Sequence, residues 1–385
     1  MTTTKRLLAL DILRGVTIAG MIMVNNPGSW SSVYTPLQHA SWNGLTPTDL
    51  VFPFFMFIMG ISTYISLKKY NYEWSTAVVW KIVKRTLVIF AIGLGIAWFS
   101  LFLRSWHLLG SDDISFLTRV GKSCWTFDRI RILGVLQRLA LSYCATALIA
   151  IFVKHKYIPH LIVGTLLAYT GVLLFGNGFE YGETNILSVV DRALLGLQHI
   201  YKDNGIEPEG ILSTIPAIAH VLIGFCCGKL LIELKDNNEK MQRLFLIGTI
   251  LTFSGFLLSY GCPINKKIWS PTFVLVTCGL ASNFLALLIW IIDVKGKKTW
   301  SRFFESFGIN PLFMYVTGAV FSLLMGNISI TCGEKIISLK GYIYSELLQP
   351  LLGDYPASLV FALLFVSLVW AVGYVLYKKQ IYIKI

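Results

Sequence analysis

The sequence predicts an all-α protein: a polytopic bundle of about ten membrane-spanning helices with both ends on the inner side of the membrane. Three observations carry this. Of 385 residues, 55% are hydrophobic and only 14% charged, against about 25% charged in an ordinary soluble domain; the mean hydropathy is +0.66. Apolar runs of about 20 residues, each able to cross a hydrocarbon core of roughly 30 Å, recur along the chain. Lysine and arginine are unevenly shared between alternate connections.

The spans are expected at 7–25, 47–67, 82–103, 133–153, 159–176, 212–233, 243–261, 271–293, 303–325 and 356–377. The first, "LALDILRGVTIAGMIMVNN", is followed by no small-residue cleavage site, so it is expected to be retained. The second has a legible start: Thr46 or Thr48 as cap, Pro47 at an early helical position, and Asp49 in the first turn, where the helix dipole favours a carboxylate. With the N-terminus inside, segments 1–6, 68–85, 154–156, 229–243, 294–302 and 378–385 hold 20 Lys/Arg; the opposite loops, 104–131, 177–211, 262–270 and 326–355, hold 11. The positive-inside rule then gives N-in and C-in. The net charge of +13 is thereby a topology signal, and no soluble stretch is long enough to bind nucleic acid. Residues 1–385 read as a single transmembrane domain, without low-complexity tracts or internal repeats. Two outer loops are long, and 185–200 within the second has the apolar spacing of a short surface helix. That loop, 177–211, holds six Asp/Glu against two Lys/Arg. The seven cysteines show no metal spacing, and none of the histidines forms a metal pattern. Cys144, Cys226, Cys227 and Cys278 read as small packing residues, while Cys124, Cys262 and Cys332 face the side where disulfides are allowed.

Charges in or beside spans are costly and mark partners or cavities. Asp11 and Arg14 share a helix face; they form either an intrahelical ion pair or the mouth of an anion site. Arg14 and Asn25 lie about 16 Å apart along that helix, comparable with a pantetheine arm. Arg129, Arg131, Gln137 and Arg138 cluster in "RIRILGVLQRLALSY"; Arg138 would pair with Asp49 or Asp11, or meet an anionic ligand. His220 is placed in the sixth span, facing either packing or a cavity. His39 lies in an outer loop, ten residues before Asp49. The loop is either plain polar connection or a site in which Asp49 orients an imidazole suited to taking protons near neutral pH.

Together "LDILRG", "MVNN", "HASWNGLTPTDLVFPFFMFIMG", "RIRILGVLQRL", "EPEGILSTIPAI", "GKLL", "PINKKIWSPTFV" and "IIDVKG" resemble the heparan-α-glucosaminide N-acetyltransferase family of transmembrane acyltransferases, in order over essentially the whole chain. The resemblance implies transfer of an acetyl group from cytoplasmic acetyl-CoA, as co-substrate and without a metal, to the amine of a terminal glucosamine across the membrane. It implies His39 as the catalytic residue, with Asn25 and Asp49 beside it, and Arg14, Gln137 and Arg138 where the coenzyme is received. Arg131 is added from its cluster, and Lys266 and Trp269 from a further motif of the family. The eukaryotic members' lumenal domain and leading span have no counterpart here, so a short bacterial member of an inner membrane is expected. A homodimer stays open. Two other functions stay open as well: transport of an amino sugar or lipid-linked glycan, and O-acetylation of a cell-surface glycan. Acidic residues Glu180, Glu183, Asp191, Glu207 and Glu209 would attract a cationic sugar, and Trp30 and Trp42 would stack on it.

Overall fold

Ten apolar segments become helices because, in a membrane, every backbone N–H and C=O has to be satisfied within the segment. The computed structural model describes residues 7–111, 114–203, 205–332 and 335–383; the expected inner-side stretches 1–6 and 384–385 lie outside the described residues. In chain order the long helices are α1 (Leu8–Val24), α2 (Pro47–Lys68), α3 (Thr76–Leu108), α5 (Val135–Phe152), α6 (Ile158–Phe175), α8 (Ile211–Glu233), α9 (Asn237–Leu258), α10 (Pro271–Ile289), α12 (Pro311–Asn327) and α15 (Asp354–Lys378). Shorter helices are α4 (Phe116–Cys124), α7 (Ile186–Leu195), α11 (Arg302–Ile309), α13 (Leu339–Tyr342) and α14 (Gln349–Leu352). Among the described residues, eight helices are long and apolar enough to cross a membrane, and nine if α11 and α12 count as one.

Those two are bent by 79° where one straight span over 303–325 is expected. The cause is the Asn310–Pro311 pair: a residue before proline is pushed out of the helical region, and Asn310 sits at φ −123°, ψ 58°. A second departure is a hairpin, β1 (Ser329–Cys332) antiparallel to β2 (Lys335–Ser338), in the connection 326–355, where no strand is expected. The loop after the third span is largely helical too, since α3 runs on to Leu108 and α4 follows it. The surface helix expected in 185–200 is α7.

α2, α5, α8 and α10 bury more than half of their apolar stretch and form the centre, whereas α3, α6 and α9 turn most of theirs outward. Backbones at the centre meet closely. A Cβ on Gly60 of α2 would lie 2.1 Å from the Val221 carbonyl of α8, and one on Gly224 of α8 would lie 2.1 Å from that of Phe57. Small residues at such crossings exchange side-chain volume for backbone contact, which is how helices pack when lipid supplies no hydrophobic drive. His220 belongs to this interface: fully buried, it donates from Nε2 to the Pro53 carbonyl at 2.9 Å rather than facing a cavity.

Four connections meet at one end of the bundle. Gly44 N–H donates to the Ile264 carbonyl (2.8 Å), Trp42 Nε1 to that of Phe179 (2.9 Å), Ile132 N–H to that of His199 (3.0 Å) and Tyr169 Oη to that of Ile268 (2.7 Å). These ties bring the loops before α2, α5, α8 and α10 into one cap, which holds His39, Asp49 and Lys266. The seven cysteines are free thiols.

Candidate active site

The start of α2 holds the central contact. Thr46 is the N-cap and Pro47 the first helical residue. At the third position, the Asp49 carboxylate turns back over the helix end. Its Oδ2 accepts from Thr46 N–H (3.2 Å), Thr46 Oγ1 (3.0 Å) and Ala40 N–H (3.1 Å). This leaves Oδ1 to face His39, whose Nδ1 lies 2.6 Å away. Asp49 is fully buried, whereas the His39 side chain is 46% exposed. A buried carboxylate thus grips one ring nitrogen while the other side of the ring stays open. With the proton on Nδ1, Nε2 carries the free lone pair, the arrangement of a general base and its orienting acid.

Lys266, from the connection before α10, completes the cluster. Its Nζ lies 3.3 Å from Asp49 Oδ1 and 3.0 Å from His39 Nδ1. The turn that presents it is rigid: Asn265 donates to Asn43 Oδ1 (3.2 Å) and accepts from Ile268 N–H, and Trp269 takes a left-handed φ of +52°. Burial pulls the Lys266 ammonium below the usual lysine range, against the opposing pull of Asp49 and Glu209.

A cavity of about 510 Å³, whose walls include none of His39, Asp49 and Lys266, lies between the C-terminal end of α1, α3, the start of α5 and α12, within the roughly 300–1,000 Å³ usual for small-molecule sites. Asn25, Asn26, Arg129, Arg131, Gln137, Tyr201 and Tyr315 give it polar wall; Ile96, Leu133 and Leu136 are among its apolar residues. Gln137 fits because Gly93 of α3 has no side chain; a Cβ there would lie 2.5 Å from Gln137 Oε1. Arg131 is held by both Glu207 and Glu209, the latter at 2.6 Å, and its guanidinium lies over the Tyr201 ring at 4.9 Å. Burial alone would push Glu209 up, but Arg131, Arg138 and Lys266 together hold its carboxyl below the usual range. Burial raises Glu207, against Arg131. Glu209 therefore stands electrically between the Lys266 side of the cap and the cavity wall.

The structure sorts the sequence-derived candidates. It brings His39 and Asp49 together and adds Lys266 to them. Asn25, expected beside His39, instead ends α1 on the cavity wall and makes no hydrogen bond to either. Among residues expected to receive a coenzyme, Arg131 and Gln137 line the cavity; Arg14, Arg138, Lys266 and Trp269 do not. Arg14 pairs with Asp11 (3.0 Å) and donates to Ser62 Oγ (2.8 Å) and the Gly308 carbonyl (3.2 Å), clasping α1 to α2 and α11. Arg138 pairs with neither Asp49 nor Asp11. It is fully buried over the Trp269 ring (5.0 Å), donating to Ser213, with its Nε and Nη1 unpartnered. Trp269 is itself 1% exposed, packed by Phe52, Phe273 and His220.

The acidic loop is less acidic than its composition. Glu207 and Glu209 are held by Arg131, Glu183 pairs with Arg192 (2.6 Å) and Asp203 with Lys267 (2.7 Å). Asp191 is buried, capping Ile211 N–H (2.9 Å), and burial pushes its carboxyl up to about 6. Trp42 packs against Tyr181 in a tilted pair (4.9 Å), whereas Trp30 is exposed. The Arg131–Glu207–Glu209 group was beyond sequence spacing, because its partners stand 76 and 78 residues apart. The "EPEG" stretch gave only the charges. Among the described residues, no group of three His, Cys, Asp or Glu gathers as a metal site.

Comparison with known proteins bears on this cap. The family model for heparan-alpha-glucosaminide N-acetyltransferase, catalytic, matches residues 6–260. The chain belongs to this family. Heparan-alpha-glucosaminide N-acetyltransferase of Homo sapiens is 29% identical over 377 residues, and that of Mus musculus 28% over 378; each alignment covers 82% of this chain and 53% of the relative. The chain thus spans about half the length of the curated relatives it matches. The region matching the N-acetyltransferase family holds His39, Asp49, Arg131, Gln137, Glu207 and Glu209, and ends before Lys266 and Trp269.

Proposed function

We propose that the protein is a membrane-embedded acetyltransferase. It moves an acetyl group from acetyl-CoA on the inner face to the amine of a terminal glucosamine-type sugar on the outer face. The observation that carries this is the His39–Asp49 pair, 2.6 Å apart with the ring half-exposed, in a member of an N-acetyltransferase family. All of residues 1–385 act as one domain of ten spans, with α1 and the α11–α12 pair as spans and both termini inside; the excess of Lys/Arg in the inner segments supports this. The cap then faces outward, and in a bacterial inner membrane that side is the periplasm.

The acceptor amine attacks the thioester carbonyl while its proton passes to His39 Nε2. A new C–N bond forms, the C–S bond breaks, and the imidazolium returns the proton to the departing thiolate. Asp49 balances the imidazolium meanwhile. Asn25, on the cavity wall, offers an amide donor to the developing oxyanion. Arg131 and Gln137 line the path of the pantetheine arm. Arg14 stands about 16 Å below Asn25 along α1, towards the side from which the coenzyme comes, while Arg138 shapes the cap from beneath Trp269. Because the arm spans part of the bilayer, only the acetyl group needs to reach the outer face.

The test is acetyl-CoA turnover by purified protein with glucosamine and N-acetylglucosamine as acceptors. Turnover requiring the free amine, and abolished in a folded His39→Ala variant, is expected. A well-folded His39→Ala protein with full turnover would remove the imidazole from the reaction.

A further inference from the structure

Lys266 has a position that coenzyme binding does not explain. Its Nζ is 3.0 Å from the very nitrogen of His39 that faces Asp49, and 3.3 Å from the same carboxylate oxygen. One oxygen is thus shared by an imidazole N–H and an ammonium. We propose that Lys266 is a positioning residue of the His39–Asp49 pair, whose ammonium, drawn to the same Asp49 oxygen as the ring, opposes a positive charge on His39. This rests on the acetyl-transfer reading for its purpose, but not for its geometry.

The physical reason is charge count. An imidazole beside a carboxylate alone gains a stabilised cation and tends to stay protonated, which would disable it as a base. A second positive group at 3.0 Å opposes that gain. An ammonium can only donate, so it offers no acceptor to a proton on Nδ1 and acts on the ring through its charge; where Nδ1 carries a proton, Asp49 Oδ1 at 2.6 Å accepts it. The charged groups facing the ring are Asp49 from α2 and Lys266 from the connection before α10; the charge of Glu209, from the connection before α8, favours the charged form of Lys266. When His39 takes up a substrate proton, two cations stand against one carboxylate, which favours giving the proton up again to the leaving group.

The experiment reads His39 directly. Diethyl pyrocarbonate modification of the full-length protein is followed at His39 by peptide mass spectrometry across pH, alongside the pH profile of kcat/KM. Lys266→Met is expected to raise the midpoint of His39 modification, and the acidic limb of kcat/KM, by about one pH unit or more. Lys266→Arg, keeping the charge, is expected to restore both. A lysine serving only to shape the turn would lower activity without moving either midpoint, and an unmoved midpoint in folded Lys266→Met overturns the proposal. If the midpoint moves while the wild-type protein transfers no acetyl group, the electrostatic role stands and the acetyl-transfer reading fails.

Discussion

Replacing Asp49 with asparagine keeps the shape of the cap and changes its chemistry. The carboxylate accepts Ala40 N–H, Thr46 N–H and Thr46 Oγ1 on Oδ2, and faces His39 and Lys266 on Oδ1. An asparagine oriented to preserve the first three contacts places its NH₂ where Oδ1 stood. It then opposes two donors, and the ring relieves the conflict only by moving its proton to Nε2, so that Nδ1 accepts. The free lone pair is lost from the exposed side. The same change in a hydrolytic triad costs about 10⁴-fold in kcat through this wrong tautomer, and a loss of roughly 10³–10⁴ is expected here. Stability falls by a smaller amount, about 1–3 kcal/mol for a charge-assisted contact replaced by a mismatched one. The assay is single-turnover acetyl transfer at saturating acetyl-CoA, with thermal unfolding in the same detergent. Turnover within tenfold of wild type in a folded Asp49→Asn protein would refute the argument, because a base lacking its orienting acceptor cannot keep its rate.

Arg131→Ala strips the cation from Glu207 and Glu209, both buried or nearly so. A loss of about 2–4 kcal/mol in unfolding free energy is expected, discounted for the partial exposure of the guanidinium, and adding Glu207→Gln and Glu209→Gln should recover much of it in denaturant titrations. Asp191→Asn should act with the opposite sign. A carboxyl pushed up to about 6 in the fold, from 3.8, is penalised once ionised; the penalty is absent below about pH 4, grows to about pH 6 and is complete above. The variant's melting temperature should therefore exceed wild type's above pH 6, by the equivalent of up to about 3 kcal/mol, and converge with it near pH 4.

Local signals told true. The cap of α2, with Thr46, Pro47 and Asp49, was legible because helix ends are fixed by residues adjacent in sequence. So was α7, from its apolar spacing. Asp11 and Arg14, three residues apart on one helix face, settle as the ion pair that was one of two open readings. What escaped was whatever depends on distant chain. Arg138 finds Ser213 and Trp269 rather than either aspartate, a choice made by how α5 meets α8 and the loop before α10. The break at Asn310–Pro311 had a local signal, but the apolar run on both sides masked it. Lys266 was marked by a family motif, but its place beside His39 depends on the two connections tied by Gly44 and Asn43.

His39 and Lys266 stand 227 residues apart in the chain, yet touch. Closing so long a loop costs entropy that is recovered only when the intervening helices have packed. A chain halted partway through membrane insertion therefore carries every residue of the first loop but not this contact. The pairing is thus a property of the packed bundle and of no shorter stretch of the chain.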